Sequence, residues 1–300
     1  MNAAQVHPRV RNVLHVLPHP GGGGETYVAA LSRLDGYHAE RTFLAQHSSP
    51  WRAAPGLLSN AVRANLKARD FDLVHAHGEV ASFFSLPSLS RVPSVVTLHG
   101  LHFLRRFHGA RYRLAKANLR ALSARTNSII CVSRSEYEDA AALLSASARK
   151  RLIVIHNGVA IPPSPSAAER EATRAQLDLP AGTTVALFVG KLEDVKEPLV
   201  AVRATVEACS RGTEVTLVVV GDGPLRSSVI EEGGDCVRVL GFREDIAKLN
   251  AAADLFILPS RREGLSYALL EAMSFGVCPI VSEIPGNVEA VGHAGIVCPS

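Results

Sequence analysis

The chain alternates short apolar runs with longer stretches of helix-forming residues. Runs rich in Val, Ile and Leu fall at residues 11–17, 71–75, 93–98, 127–131 and 152–155. Each run is continuous rather than alternating, which marks a strand buried on both faces and therefore a parallel sheet covered by helices. A glycine turn and a predicted helix over 25–34 follow the first run. Ala, Leu, Arg and Lys fill the stretch around 111–124, as a helix would. The rhythm breaks at Ile161, where Pro162, Pro163, Ser164, Pro165 and Ser166 read as a linker. It restarts with predicted strands at 184–189, 215–220, 237–240, 255–258, 278–281 and 295–298. Helices are predicted near 198–209, 225–231, 246–252 and 266–274. The expected architecture is α/β: a Rossmann-like domain over 1–162, a linker over 163–182 and a second Rossmann-like domain over 183–300. In open sheets of this kind ligands sit at the carboxyl ends of the strands, so the loops after strands are where chemistry is expected.

Composition narrows the class. With 47% hydrophobic and 20% charged residues the chain is not a disordered one. No apolar run approaches the roughly 18 residues that span a bilayer. The apolar run near the N-terminus, 13–18, is too short for the core of a secretory signal, so a cytoplasmic location is expected. The five cysteines lie far apart without a Cys-x-x-Cys pair, which reads as buried reduced thiols. Charge is divided unevenly: residues 1–165 carry 20 Lys and Arg against 9 Asp and Glu, residues 166–300 carry 12 against 19. The acidic second half and the lack of a recognition motif argue against nucleic acid.

The most informative stretch runs from Pro259 to Gly276. Pro259 ends a buried strand, Glu263 and Gly264 turn the chain, and a helix starts near Leu265 or Ser266. Its first N–H groups are unpaired and lie at the positive end of the helix dipole, which suits a phosphate or sugar oxygens. Glu271 stands among Leu269, Leu270, Ala272 and Met273, where a carboxylate needs a polar partner such as ribose hydroxyls. After the strand at 184–189, Gly190 lets the backbone turn while Lys191 and Lys196 set two cations for a pyrophosphate. Gly22 and Gly23 allow close approach of an anion after the first strand, and Glu25 follows them. His99 ends a buried strand. His75 and His77 put two rings on one face of another, but the sequence offers no third ligand, and no metal is expected.

These elements, in this order, resemble the retaining glycosyltransferases of family 4, which have the GT-B fold. Glu263 and Glu271 match the family's Glu-x7-Glu signature, Gly22, Gly23 and Glu25 its Gly-Gly-x-Glu loop, and His99 with Gly100 its Thr-x-His-Gly element. Gly221 and Gly223 match a Gly-x-Gly-Pro turn near the base, and Asn157 an element at the end of the N-terminal domain. The family usually carries Arg where this chain has Lys191, and often Gly where it has Glu197. The resemblance implies two Rossmann-like domains facing across a cleft. Catalysis would fall to His99 and Glu263, and donor binding to Lys191, Lys196, Gly264, Leu265, Ser266, Glu271, Gly221 and Gly223. Gly22, Gly23, Glu25 and Asn157 would line the acceptor and phosphate loop.

The implied reaction moves a hexose from a UDP-, GDP- or ADP-sugar co-substrate to a hydroxyl acceptor with retention and without a cofactor. A sugar-nucleotide epimerase and a non-catalytic sugar-nucleotide-binding protein share the architecture and stay open. Arg105, Arg106, Arg111, Arg113, Lys116, Arg120 and Arg125 form a basic run suited to anionic head groups at the inner membrane surface, or simply to water. Family members continue beyond the position of Ser300 with further helices, so C-terminal helices are expected to be missing.

Overall fold

The structure, a computed structural model, describes residues 11–46 and 50–299. The chain divides into two compact units, Met1–Asn157 and Gly158–Ser300. The first unit holds strands β1 (Arg11–Leu17), β2 (Tyr37–Phe43), β3 (Leu73–His77), β4 (Ser94–Thr97), β5 (Ser128–Cys131) and β6 (Leu152–Val154). All pair in parallel, in the order β2-β1-β3-β4-β5-β6. Leu14, Val16, Val74, Ala76, Val96 and Ile129 pack one face of this sheet into a core with Leu89, Leu119 and Leu122 from the flanking helices.

The second unit holds β7 (Thr184–Val189), β8 (Val215–Val220), β9 (Val237–Gly241), β10 (Leu255–Leu258), β11 (Cys278–Ser282) and β12 (Ile296–Cys298), again all parallel, in the order β12-β11-β10-β7-β8-β9. Two apolar clusters line its two faces: Val185, Leu187, Val218 and Phe256 on one, Ala186, Phe188, Leu217 and Val219 on the other. Alternate residues of β7 and β8 enter opposite cores, which is why these strands are apolar apart from Thr184 and Thr216. No described helix is long and apolar enough to cross a membrane.

Three expectations need correcting. The sequence pattern does not predict β2, because its residues alternate and it lies at the sheet edge with one side solvated. The expected linker 163–182 holds the helix Ala167–Gln176, opened by a capping box between Ser166 and Glu169. Its Arg170 and Arg174 bond the carbonyls of Ala251, Ala252 and Ala253 and pair with Asp254. The helix therefore belongs to the second unit. Of the five cysteines only Cys131 is buried, and Cys298 is exposed.

Candidate functional site

In the second unit the expected donor residues all follow the carboxyl ends of β7, β8 and β10. The β7 and β8 turns are locked together through their backbones: Gly190 N–H donates to the Val220 carbonyl (3.0 Å) and Leu192 N–H to that of Asp222 (3.0 Å). A Cβ at Gly221 would stand 1.9 Å from the Gly190 oxygen, and one at Gly223 2.4 Å from the Leu192 oxygen. Only glycine permits this approach, and it holds Gly221 and Gly223 against the turn that carries Lys191.

The turn then reaches the loop after β10. Arg261 N–H donates to the Val195 carbonyl (3.0 Å), and Lys196 Nζ pairs with Glu263 Oε1 at 2.6 Å. Glu263 is 7% exposed, so its charge is offset by Lys196 rather than by water. Gly264, Leu265 and Ser266 are buried beside it and lead into the helix Tyr267–Ser274. Glu271 is half-buried on that helix, and burial raises its carboxyl above the ordinary range. Glu197, at the position where the family often has Gly, has φ +48° and ψ +50°. This left-handed geometry costs a side-chain residue about 1 kcal/mol or more. The pattern's glycine is thus explained, and here the ion pair of Glu197 with Arg261 accompanies the strained backbone.

Sequence reasoning missed the support under this loop. Ser282 Oγ donates to the Ser260 carbonyl (2.5 Å), and Asn287 Nδ2 donates to Ser282 Oγ (3.2 Å). A Cβ at Gly286 would meet the Gly264 oxygen at 2.3 Å. The signal was available in Pro285-Gly286-Asn287, a helix start with a glycine in a buried position.

In the first unit, Gly22 and Gly23 are exposed after β1, with φ +83° at Gly22, which caps the helix Gly23–Leu31. Glu25 folds back to accept from Gly21 N–H (2.7 Å) and pairs with Arg41 (3.1 Å). The carboxylate thus engages one backbone donor of the glycine loop. Asn157 is buried just beyond β6. His99 follows β4 in a strained turn, with φ of +59°, +120° and +48° at His99, Gly100 and Leu101. Two acids, Glu136 buried and Glu79 half-buried, pin that turn. Glu136 accepts from the N–H of Gly100 and of Val132 (2.6 Å), and Glu79 accepts from Phe103 N–H (2.6 Å). Burial pushes both carboxyls up to about 7 against these hydrogen bonds. Neither acid was singled out in the sequence, where each reads as a helix surface residue.

The expectation that His75 and His77 lack a third partner is corrected by β1. His15 pairs in register with His75, and the ligand atoms of His15, His75 and His77 lie within 4.8 Å of one another. These are the residues that a metal would use. Their ring nitrogens, however, bond one another and Tyr37, Thr97 and His99.

The two parallel sheets with sites at their carboxyl ends define the GT-B fold class. HepE from Anabaena in complex with UDP-glucose superposes with a TM-score of 0.77 at 21% identity, over 96% of this chain and 85% of that one. Residues 14–161 match Glycosyltransferase Family 4, and residues 183–300 match Glycosyl transferases group 1. The chain belongs to the group 1 glycosyltransferases of the family 4 type. A UDP-Gal:alpha-D-GlcNAc-diphosphoundecaprenol alpha-1,3-galactosyltransferase of Escherichia coli is 30% identical over 74% of this chain and 60% of its own length. A GDP-mannose:cellobiosyl-diphosphopolyprenol alpha-mannosyltransferase of Xanthomonas oryzae is 28% identical over 83% of this chain and 63% of its own length. The chain thus spans about three fifths of these two relatives.

Proposed function

We propose that the chain transfers a hexose from a nucleoside-diphosphate sugar to a hydroxyl acceptor, with retention at the anomeric carbon and without a metal cofactor. The observation that carries this reading is the Lys196–Glu263 pair, held beside the start of the helix Tyr267–Ser274. It sets a cation for the leaving diphosphate next to a carboxylate for the sugar hydroxyls. Lys191, Lys196 and the N–H groups near Ser266 offset the charge that grows on the diphosphate as the sugar–phosphate bond breaks. The acceptor oxygen bonds the anomeric carbon on the same face, and its proton passes to the departing phosphate oxygen. Glu271 holds the ribose. The donors of the relatives favour UDP or GDP as carrier.

The relatives that act on diphospholipid-linked sugars favour an acceptor of that class. The helix Gly109–Arg125 supports contact with a membrane carrying anionic head groups, since Arg111, Arg113, Arg120 and Arg125 are exposed along it with Leu114. Arg105, by contrast, is engaged by Asp139.

Calorimetric titration with UDP, GDP and ADP tests the donor site. One nucleotide should bind selectively, and Glu271→Ala and Lys196→Ala should each weaken it about tenfold or more. A folded protein that binds none of the three would sink the reading. Conversion of a nucleotide-sugar to its epimer without any acceptor would replace it with epimerisation.

A further inference from the structure

The first sheet has one apolar face, and its other face carries buried polar side chains among Val13, Leu17 and Ile130. Leu14, Val16, Val74, Ala76 and Val96 point into the core, so His15, His75, His77 and Thr97 point the other way. His15, His75 and His77 are at most 4% exposed. Tyr27, on the helix Gly23–Leu31, covers them, its ring edge-on to His75, His77 and His99 with centroids 5.9, 5.5 and 5.3 Å away.

Within this layer four side chains form one unbranched hydrogen-bonded chain. Tyr37 Oη lies 2.5 Å from His15 Nε2, His15 Nδ1 lies 2.8 Å from His77 Nε2, and His77 Nδ1 lies 3.1 Å from His99 Nε2. His15 and His77 thus spend both ring nitrogens within the chain. A neutral imidazole has one N–H and one lone pair, so each ring that accepts at one nitrogen must donate at the other. The proton positions of all three rings are therefore coupled, and one end decides them. At that end a phenol, the stronger acid, faces an imidazole, the stronger base, so Tyr37 donates to His15 Nε2. His15 then donates from Nδ1, and so does His77.

We propose that Tyr37, acting through His15 and His77, keeps the proton of His99 on Nδ1, so that His99 meets substrate as a neutral N–H donor to a sugar hydroxyl or phosphate oxygen. Tyr37, His15 and His77 are positioning residues, and the contact of His99 with substrate rests on the proposed transferase function together with the catalytic role that the family resemblance implies for His99. The groups facing the chain keep it uncharged. Burial, then Arg41 beside it, lowers His15 to about 4; burial, then His102, does the same for His99; His77 is driven well down by burial and by the rings of His75, His99 and His15. Burial, then Tyr27, raises the phenol of Tyr37, so it stays protonated. Arg41 is itself engaged by Glu25. A metal held by His15, His75 and His77 would take one ring nitrogen of His15 and so break this chain at His15.

The test is a long-range proton–nitrogen correlation spectrum of the full chain labelled with nitrogen-15 histidine, with His99 assigned from His99→Gln. At pH 7, His15, His77 and His99 should each show the single Nδ1–H tautomer. Tyr37→Phe should leave the fold intact, mix the tautomers of His99, and lower kcat about tenfold while the donor KM moves less than about threefold. An Nε2–H tautomer at His99 in the unmodified protein overturns the assignment even if Tyr37→Phe does not fold. So does a His99 tautomer unchanged in Tyr37→Phe, or zinc at stoichiometric concentration shifting the nitrogens of His15 and His77 together. The spectrum needs no turnover: an Nδ1–H His99 in a chain that transfers no sugar removes the proposed function and leaves the relay standing.

Discussion

At the scale of the residue, buried and half-buried titratable groups of opposite kinds sit close together in the first unit, and they pull stability in opposite directions with pH. His15 and His99 fall to about 4 when folded against an ordinary 6.5. The unfolded chain binds their protons more readily, so their contribution is present above pH 6.5 and is lost as pH falls toward 4. Glu79 and Glu136 rise to about 7 against an ordinary 4.5. Their contribution is present below 4.5 and is lost as pH rises through 7. Variants separate the two. The advantage in melting temperature of the unmodified protein over His15→Gln should shrink as pH falls from 6.5 to 4. Its advantage over Glu136→Gln should shrink as pH rises from 4.5 to 7. Thermal melts across pH 4–8 measure both, and a pH-independent gap in either comparison contradicts the burial assigned to that residue.

At the scale of the element, the sheets and the donor loops were legible because parallel strands buried on both faces must be apolar throughout, and phosphate loops must begin where such strands end. β7, β8 and β10 have the predicted bounds for this reason. Elements that are not apolar escaped. β2 is an edge strand with an alternating pattern, and the helix Ala167–Gln176 has no buried residue. That helix is held by guanidinium groups on carbonyls, which no hydrophobic period records. His15 lies sixty residues before His75 in a run that reads as plain strand, so only the register of β1 against β3 reveals the cluster. The glycines of the β8 turn were read as family residues, and the structure supplies their cause. Gly221 has φ +131°, and its α-carbon faces the Gly190 oxygen too closely for any side chain. Gly221→Ala should therefore cost about 3 kcal/mol in stability and displace the Lys191 turn, weakening nucleotide binding with it. Gly158→Ala, which meets nothing within 4 Å, should change neither. Chemical denaturation of the two variants side by side decides. Equal midpoints would mean that the β7 and β8 turns are not locked together.

At the scale of the whole molecule, the question is where the second unit begins. The sequence pattern sets its start at residue 183, where the strands resume, whereas the contacts divide the chain at Asn157 and Gly158. The difference is the helix Ala167–Gln176. Asp254 sits just past the helix Ile246–Ala252 and accepts from Val185 N–H (2.8 Å) at the start of β7. Arg174 pairs with it at 2.7 Å, Arg170 joins the same carboxylate, and both arginines bond the carbonyls that end the Ile246–Ala252 helix. Those carbonyls have no partner within their own helix and carry the negative end of its dipole, so two guanidinium groups there both cap it and neutralise it. Without them Asp254 keeps only its hydrogen bond from β7 and faces uncapped carbonyls. The pair is partly exposed, so the loss is moderate, about 2 kcal/mol. Both apolar clusters of this unit lie wholly inside it, apart from the contacts that Leu177 and Leu179 add from the same segment. A fragment of residues 158–300 should thus unfold cooperatively in urea. One of residues 183–300 should unfold at a lower midpoint, and Asp254→Asn in the longer fragment should lower its midpoint by most of that difference. If the two fragments unfold together, the arginine helix is a tether and the unit begins at its first strand after all.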